Sequence, residues 1–148
     1  MTEGFAFNHV GQCVTDLERA KRFYTEVLGF VLEREIQPPD DLSARLLGLA
    51  PPLGMTASYL RRDGFVLELL HYAQRPAQPV RGRTMDEPGL THVSVSVADL
   101  ATTLVRVVEH GGEVLEGTNI GFGVFVRDPD GQLVELLPMS YRDGLDAR

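Results

Sequence analysis

The chain contains 148 residues, of which 43% are hydrophobic and 24% charged, as expected for one soluble globular domain with a sizeable core. Its net charge is −7 and its 14 Lys and Arg residues are scattered, which excludes the basic surface that nucleic acid or an anionic membrane requires. A single cysteine excludes an intrachain disulfide, and no apolar run reaches the roughly 20 residues of a membrane span, so we expect a cytoplasmic protein.

The first half of the chain has the pattern of a strand, a helix and three further strands. Phe5–Val14 alternates in the manner of a strand, and Asp16–Leu28 carries apolar residues at helical spacing. The three later strands are predicted at Phe30–Ile36, Met55–Arg61 and Phe65–Tyr72, with a tight hairpin turn at Asp63-Gly64. Together these elements predict a βαβββ module over residues 5–72.

A proline-flanked segment interrupts this module at residues 37–52. Its sequence "DDLSARLLGL" predicts one short helix with an aspartate cap. A long excursion inside a compact domain is more often functional or mobile than neutral, and a simple surface insertion remains the alternative.

The second half repeats the pattern after a Pro- and Arg-rich linker at residues 73–88. The second module, over residues 89–139, is predicted to contain a strand, a helix and three strands at Thr91–Val97, Asp99–His110, Glu113–Glu116, Gly121–Arg127 and Gln132–Pro138. The tail at 140–148 has few apolar residues to pack. We therefore expect a single α+β domain over residues 1–148, built from two tandem βαβββ modules.

Constant spacings between the halves support an internal repeat. The spacing that carries His9 onto His92 also carries Val14-Thr15-Asp16-Leu17 onto Val97-Ala98-Asp99-Leu100. A second, shorter spacing carries Glu68 onto Glu135, each followed by Leu-Leu and preceded by an Asp-Gly turn. The first copy is therefore the longer one, and the difference equals the length of the segment at 37–52.

Two histidines and two glutamates occupy equivalent places in the repeat. His9 and His92 open the first strand of their copies, whereas Glu68 and Glu135 each lie inside an apolar strand. A carboxylate there is costly to bury without compensation, and a metal ion shared with the histidines would supply it. Imidazole and carboxylate donors suit Ni²⁺, Co²⁺, Zn²⁺, Mn²⁺ or Fe²⁺. By strand alternation His71 faces away from Glu68, so we expect it not to be a ligand.

The sequence resembles the vicinal oxygen chelate superfamily, which contains glyoxalase I, bleomycin-resistance proteins and dioxygenases. The resemblance lies in the paired modules, the helix ending "FYTEVLGF", the "DPDG" turn and the His/Glu/His/Glu order. The resemblance covers roughly residues 5–139 and implies a cupped mixed sheet around one divalent metal ion per site. It assigns the ligand role to His9, Glu68, His92 and Glu135. It also implies that a ligand glutamate, Glu135 or Glu68, leaves the metal to act as a base.

Three functions are compatible with this resemblance. The four-ligand set favours a metal-dependent lyase or isomerase of glyoxalase I or epimerase type that acts on a small carbonyl or thioester substrate. The alternatives are an Fe(II) extradiol-type dioxygenase that uses His9, His92 and Glu135, and a metal-free drug-binding protein of bleomycin-resistance type. The resemblance also implies a homodimer, with or without exchange of modules between chains.

Overall fold

The computed structural model describes residues 3–78 and 80–147. The chain divides into two compact units, one formed by Met1–Leu17 with Gly29–Ala77 and the other by Glu18–Leu28 with Gln78–Arg148. Within the described part, no helix has both the length and the apolar composition to cross a membrane.

The first unit is built on a four-stranded mixed sheet with the spatial order β1-β4-β3-β2. Its strands are β1 at Val10–Cys13, β2 at Val31–Ile36, β3 at Met55–Arg62 and β4 at Phe65–Tyr72. The strand β1 runs parallel to β4, and the other neighbours are antiparallel. Asp63 and Gly64 both have positive φ, as a two-residue hairpin turn between β3 and β4 requires. That turn fixes the register of β3 on β4.

The predicted short helix in the long segment exists as α2, Asp40–Leu47. The prediction of an aspartate cap is wrong, because the cap position is Pro39 and its side chain makes no capping bond. Asp40 instead accepts hydrogen bonds from the backbone N–H of Leu53 and Gly54, at 3.0 and 2.9 Å. Ala44 of α2 is buried, and Leu53 is fully buried next to these hydrogen bonds, so the segment contributes to the core of the first unit.

The second unit repeats the sheet with the order β5-β8-β7-β6. Its strands are β5 at His92–Val97, β6 at Glu113–Val114, β7 at Val124–Arg127 and β8 at Leu133–Pro138. The strands β5 and β8 are parallel, as β1 and β4 are. Between them in sequence lies α3, Leu100–Glu109, whose cap Asp99 accepts the backbone N–H of Thr102. The predicted α+β fold with two similar copies is thereby confirmed as two four-stranded mixed sheets.

Several predicted boundaries differ from the structure. The first strand begins at Val10 rather than Phe5 and the seventh at Val124 rather than Gly121. The strand at Glu113 ends after two residues and leads into a 3₁₀ turn at Glu116–Thr118. The tail is a helix, α4, Met139–Asp146, although its composition predicts little packing.

The first helix belongs to the second unit. It consists of α1, Leu17–Arg22, and a π-helical turn at Phe23–Val27 rather than the single regular helix predicted. The fully buried Tyr24 donates a hydrogen bond to the buried Asp128 at 2.9 Å. Asp128 also accepts the backbone N–H groups of Asp130 and Gln132, so one carboxylate joins the helix to the "DPDG" turn.

We expect Tyr24→Phe to lower the free energy of unfolding by about 1–3 kcal/mol, because it leaves the buried Asp128 carboxylate without one of its donors. Urea denaturation measures this change. Tyr141→Phe, at a half-exposed position in α4, is the matched control and should change the free energy of unfolding little. Equal effects of the two substitutions would contradict the role of the Tyr24 hydroxyl.

A second link within this unit depends on pH. His110 Nε2 forms a hydrogen bond with Glu26 at 2.8 Å, and His110 Nδ1 forms one with the Arg106 carbonyl. Both raise the pKa of His110, and the bond with Glu26 has the larger effect. Because the pKa is raised in the folded state, protonation of His110 stabilises the fold. This stabilisation is complete at pH values below the unfolded-state pKa of about 6.5, and it disappears as the pH rises through the folded-state pKa. The free-energy difference between the native protein and His110→Gln should therefore be larger at about pH 6 than at about pH 9. Urea titrations at both pH values test this, and a difference that grows with pH would contradict it.

Candidate metal centre

One pair of predicted ligands, His9 and Glu68, lies in the first unit. The strand register places Gly11 beside Glu68, so His9, two residues earlier on the parallel neighbour, lies on the same face as the carboxylate. His9 Nε2 lies 3.0 Å from Glu68 Oε2, and the Glu68 side chain is only 14% exposed. Two ligands bound to one ion at about 2.1 Å and near right angles would themselves be about 3.0 Å apart. The geometry of this pair therefore suits a shared metal ion.

Tyr59 completes the surroundings of this first pair. It lies directly opposite Glu68 on β3 and donates its hydroxyl hydrogen to Glu68 Oε1 at 2.7 Å. Its ring contacts His9 edge-on, with centroids 5.5 Å apart, and the guanidinium of Arg34 lies 4.6 Å from the ring centroid. Partial burial, followed by the hydrogen bond and charge of Glu68, raises the pKa of Tyr59. The phenol therefore remains a donor at neutral pH.

The other pair of predicted ligands repeats this arrangement in the second unit. His92 Nε2 lies 3.7 Å from Glu135 Oε2, and both side chains are 28% exposed. The Ser94 hydroxyl donates to the same Glu135 oxygen at 2.7 Å. His92 Nδ1 lies 2.8 Å from Thr91 Oγ1, an arrangement that orients the ring so that Nε2 faces the carboxylate. Phe125, opposite Glu135 on β7, contacts His92 edge-on at 5.2 Å.

The donor chemistry of both pairs is compatible with a divalent transition metal, because each supplies one imidazole nitrogen and one carboxylate. The structure brings His9 together with Glu68 and His92 together with Glu135. Across residues 3–78 and 80–147, it forms no cluster of three or more His, Cys, Asp or Glu side chains that could hold an ion. The four-residue ligand set therefore stays a prediction, of which the structure forms the two separate His–Glu pairs.

Sequence reasoning did not assign the partners of the two glutamates. Tyr59 and Ser94 are not among the predicted site residues, but both donate hydrogen bonds to the predicted ligands. The Asp63-Gly64 turn contained the missing signal for Tyr59. A two-residue turn pairs Arg62 with Phe65, and counting back along the hairpin places Tyr59 opposite Glu68.

His71 occupies a different environment from the predicted ligands. It is three residues past Glu68, so alternation along β4 turns it to the other face of the sheet. There it lines, with Thr15 and Arg75, a cavity of about 480 Å³. This placement separates His71 from the His9–Glu68 pair.

Comparison with known proteins identifies relatives that match most of the length of this chain. Residues 6–136 match the model of the Glyoxalase/Bleomycin resistance protein/Dioxygenase superfamily. A lactoylglutathione lyase of Pseudomonas putida is 31% identical, over 92% of this chain and 86% of its own length. A lactoylglutathione lyase of Arabidopsis thaliana is also 31% identical over 88% of this chain, which spans only 43% of that protein.

A solved structure extends this similarity to the fold. The trypanothione-dependent glyoxalase I of Leishmania major has a TM-score of 0.68 and 25% identity, over 94% of this chain and 91% of its own. Together these comparisons confirm the predictions of the superfamily and of a glyoxalase-like lyase enzyme.

Proposed function

This chain belongs to the Glyoxalase/Bleomycin resistance protein/Dioxygenase superfamily, and from that premise we propose that it is a divalent-metal-dependent lyase that moves a proton on a small carbonyl substrate. The observation that carries the proposal is the pairing of one histidine with one glutamate in each sheet, at equivalent positions of the two copies. The lactoylglutathione lyases among its relatives support the same class of reaction.

In this proposal His9, Glu68, His92 and Glu135 hold the ion. When bound, a divalent cation polarises a substrate carbonyl and stabilises the negative charge that develops as the neighbouring carbon loses a proton. The two histidines act as neutral nitrogen donors, and the contact of His92 Nδ1 with Thr91 favours presentation of Nε2. The two glutamates supply negative charge, and one of them also moves the proton.

Glu135 is the base favoured by its surroundings. Its side chain is twice as exposed as that of Glu68, at 28% against 14%. Its oxygen lies 3.7 Å from the histidine, compared with 3.0 Å in the first pair. A carboxylate held less closely requires less rearrangement to reach a substrate C–H and return the proton to a neighbouring atom.

The presence of Glu68 beside His9 weighs against the dioxygenase alternative. An Fe(II) dioxygenase uses two histidines and one carboxylate and keeps the other positions on the metal open. Here a second carboxylate lies 3.0 Å from His9, where it would occupy one of those positions. A metal-free binding protein would have no need for two such pairs.

The proposed ligand set also bears on the oligomeric state of the protein. Each unit of one chain supplies two of the four donors, and the superfamily resemblance implies a homodimer in which complementary pairs meet, with or without exchange of modules. We therefore propose a homodimer that acts on a small-molecule substrate.

We expect Glu135→Gln to lower kcat by roughly 10²–10⁴-fold, because an amide cannot accept the proton that a positioned base transfers. The assay uses enzyme loaded with Ni²⁺, Co²⁺, Zn²⁺ or Mn²⁺ and follows loss of the hemithioacetal formed from methylglyoxal and glutathione. Exchange of the substrate C–H hydrogen with deuterated water is followed in parallel, on that compound and on other small carbonyl compounds and thioesters.

Glu68→Gln is the matched variant and should act mainly by weakening metal binding. Saturating metal is therefore expected to restore more activity to Glu68→Gln than to Glu135→Gln. Full activity of Glu135→Gln would contradict its role as the base. Absence of both turnover and exchange with every metal and substrate would contradict the proposed function.

A further inference from the structure

The two His–Glu pairs differ in the residues that flank each carboxylate. In the first sheet Glu68 lies between Tyr59 on β3 and Gly11 on β1. In the second sheet Glu135 lies between Phe125 on β7 and Ser94 on β5. The hydroxyl donor therefore comes from opposite sides in the two copies, and each copy lacks the donor that the other has.

Because the hydroxyl donor lies on a different neighbouring strand in each copy, a different oxygen of the carboxylate receives the hydrogen bond. Tyr59 donates to Glu68 Oε1, whereas His9 faces the other oxygen, Oε2. Ser94 donates to Glu135 Oε2, which is also the oxygen nearest His92. In the first copy the hydroxyl donor and the histidine face different oxygens of the carboxylate. In the second copy the donor binds the same oxygen that would bind an ion.

The Tyr59 side chain, which donates to Glu68, is itself held in place by two neighbouring side chains. The Tyr59 ring packs edge-on against His9 and has the Arg34 guanidinium 4.6 Å from its centroid. A cation over an aromatic face is attracted to it, which limits movement of the ring. Phe125 makes the same edge-on contact with His92 but has no hydroxyl to reach Glu135.

We propose that Tyr59 is a positioning residue that fixes Glu68 as a metal ligand, with Oε1 held by its hydroxyl and Oε2 presented beside His9. The proposal rests on the metal-binding function proposed above. It makes the two copies unequal, because Glu68 is held as a permanent ligand and Glu135 has no equivalent support from its opposite strand.

The test measures metal affinity without turnover. Purified full-length protein is freed of metal and titrated with Co²⁺ in competition with a chromophoric chelator, and the visible absorption of the bound Co²⁺ is recorded. Tyr59→Phe should weaken Co²⁺ binding by about 10–100-fold, the usual effect of removing a hydrogen bond that orients a metal ligand. It should also alter the Co²⁺ spectrum, which reports the ligands of the bound ion and not the stability of the metal-free protein.

A second variant tests whether the position of the donor on the Glu68 carboxylate matters. A Cβ at Gly11 would lie 3.4 Å from Glu68 Oε2, so Gly11→Ser places a hydroxyl next to Glu68 as Ser94 is placed next to Glu135. Gly11→Ser added to Tyr59→Phe should not recover the lost affinity, because its hydroxyl would meet Oε2, the oxygen presented beside His9, and leave Oε1 without a donor. Full recovery by this variant would overturn the requirement for a donor on Oε1. Tyr72→Phe removes a hydroxyl from the same sheet and should leave the affinity unchanged.

The outcomes distinguish the inference from the function on which it rests. Native protein that binds no Co²⁺ overturns both. Native protein that binds Co²⁺ no more tightly than Tyr59→Phe overturns the role of Tyr59 alone. A loss in Tyr59→Phe that Tyr72→Phe reproduces, or that leaves the Co²⁺ spectrum unchanged, also overturns it.

Discussion

The proposed site depends on the presence of a carboxylate in the middle of an apolar strand. Glu68 lies between Leu67 and Leu69, both fully buried, and its own side chain is only 14% exposed. A carboxylate so placed needs partners, and here His9 and Tyr59 provide them. The strand pairing makes this possible, because the parallel neighbour carries the histidine and the antiparallel neighbour carries the phenol. Sheet topology and site chemistry are therefore linked at this residue.

The repeated module contains two such positions, and their surroundings differ in the structure. Both copies retain the histidine, the glutamate and an aromatic ring edge-on to the histidine. They differ in where the hydroxyl donor lies, on the antiparallel neighbour in one and on the parallel neighbour in the other. In the proposed function this difference gives the two predicted ligands unequal roles, with Glu68 as the permanent ligand and Glu135 as the base.

Much of this architecture follows from the sequence, for identifiable reasons. The hairpin at Asp63-Gly64 has a strong local signal, and β4 has the predicted bounds, Phe65–Tyr72. The constant spacing between the two copies is enough to align His9 with His92. Local pattern and repetition are sufficient here because they do not depend on distant packing.

The features that sequence could not provide depend on distant partners. Nothing near Tyr24 indicates that its hydroxyl binds Asp128, far along the chain, or that α1 groups with the second unit. The side chain of Asp40 resembles a helix cap locally, but the backbone of Leu53 and Gly54 competes for it. The symmetric sequence pattern left the two glutamates equivalent, and only their cross-strand neighbours distinguish them.

The most direct test of the account is the metal content of the protein, measured by elemental analysis after loading and removal of excess metal. The native protein is predicted to hold about one divalent ion per chain, in line with one four-ligand site per chain. His9→Ala and His92→Ala should each lose that ion, because both pairs are needed to hold it. Retention of the full ion by either variant, or absence of metal from the loaded native protein, would contradict the account.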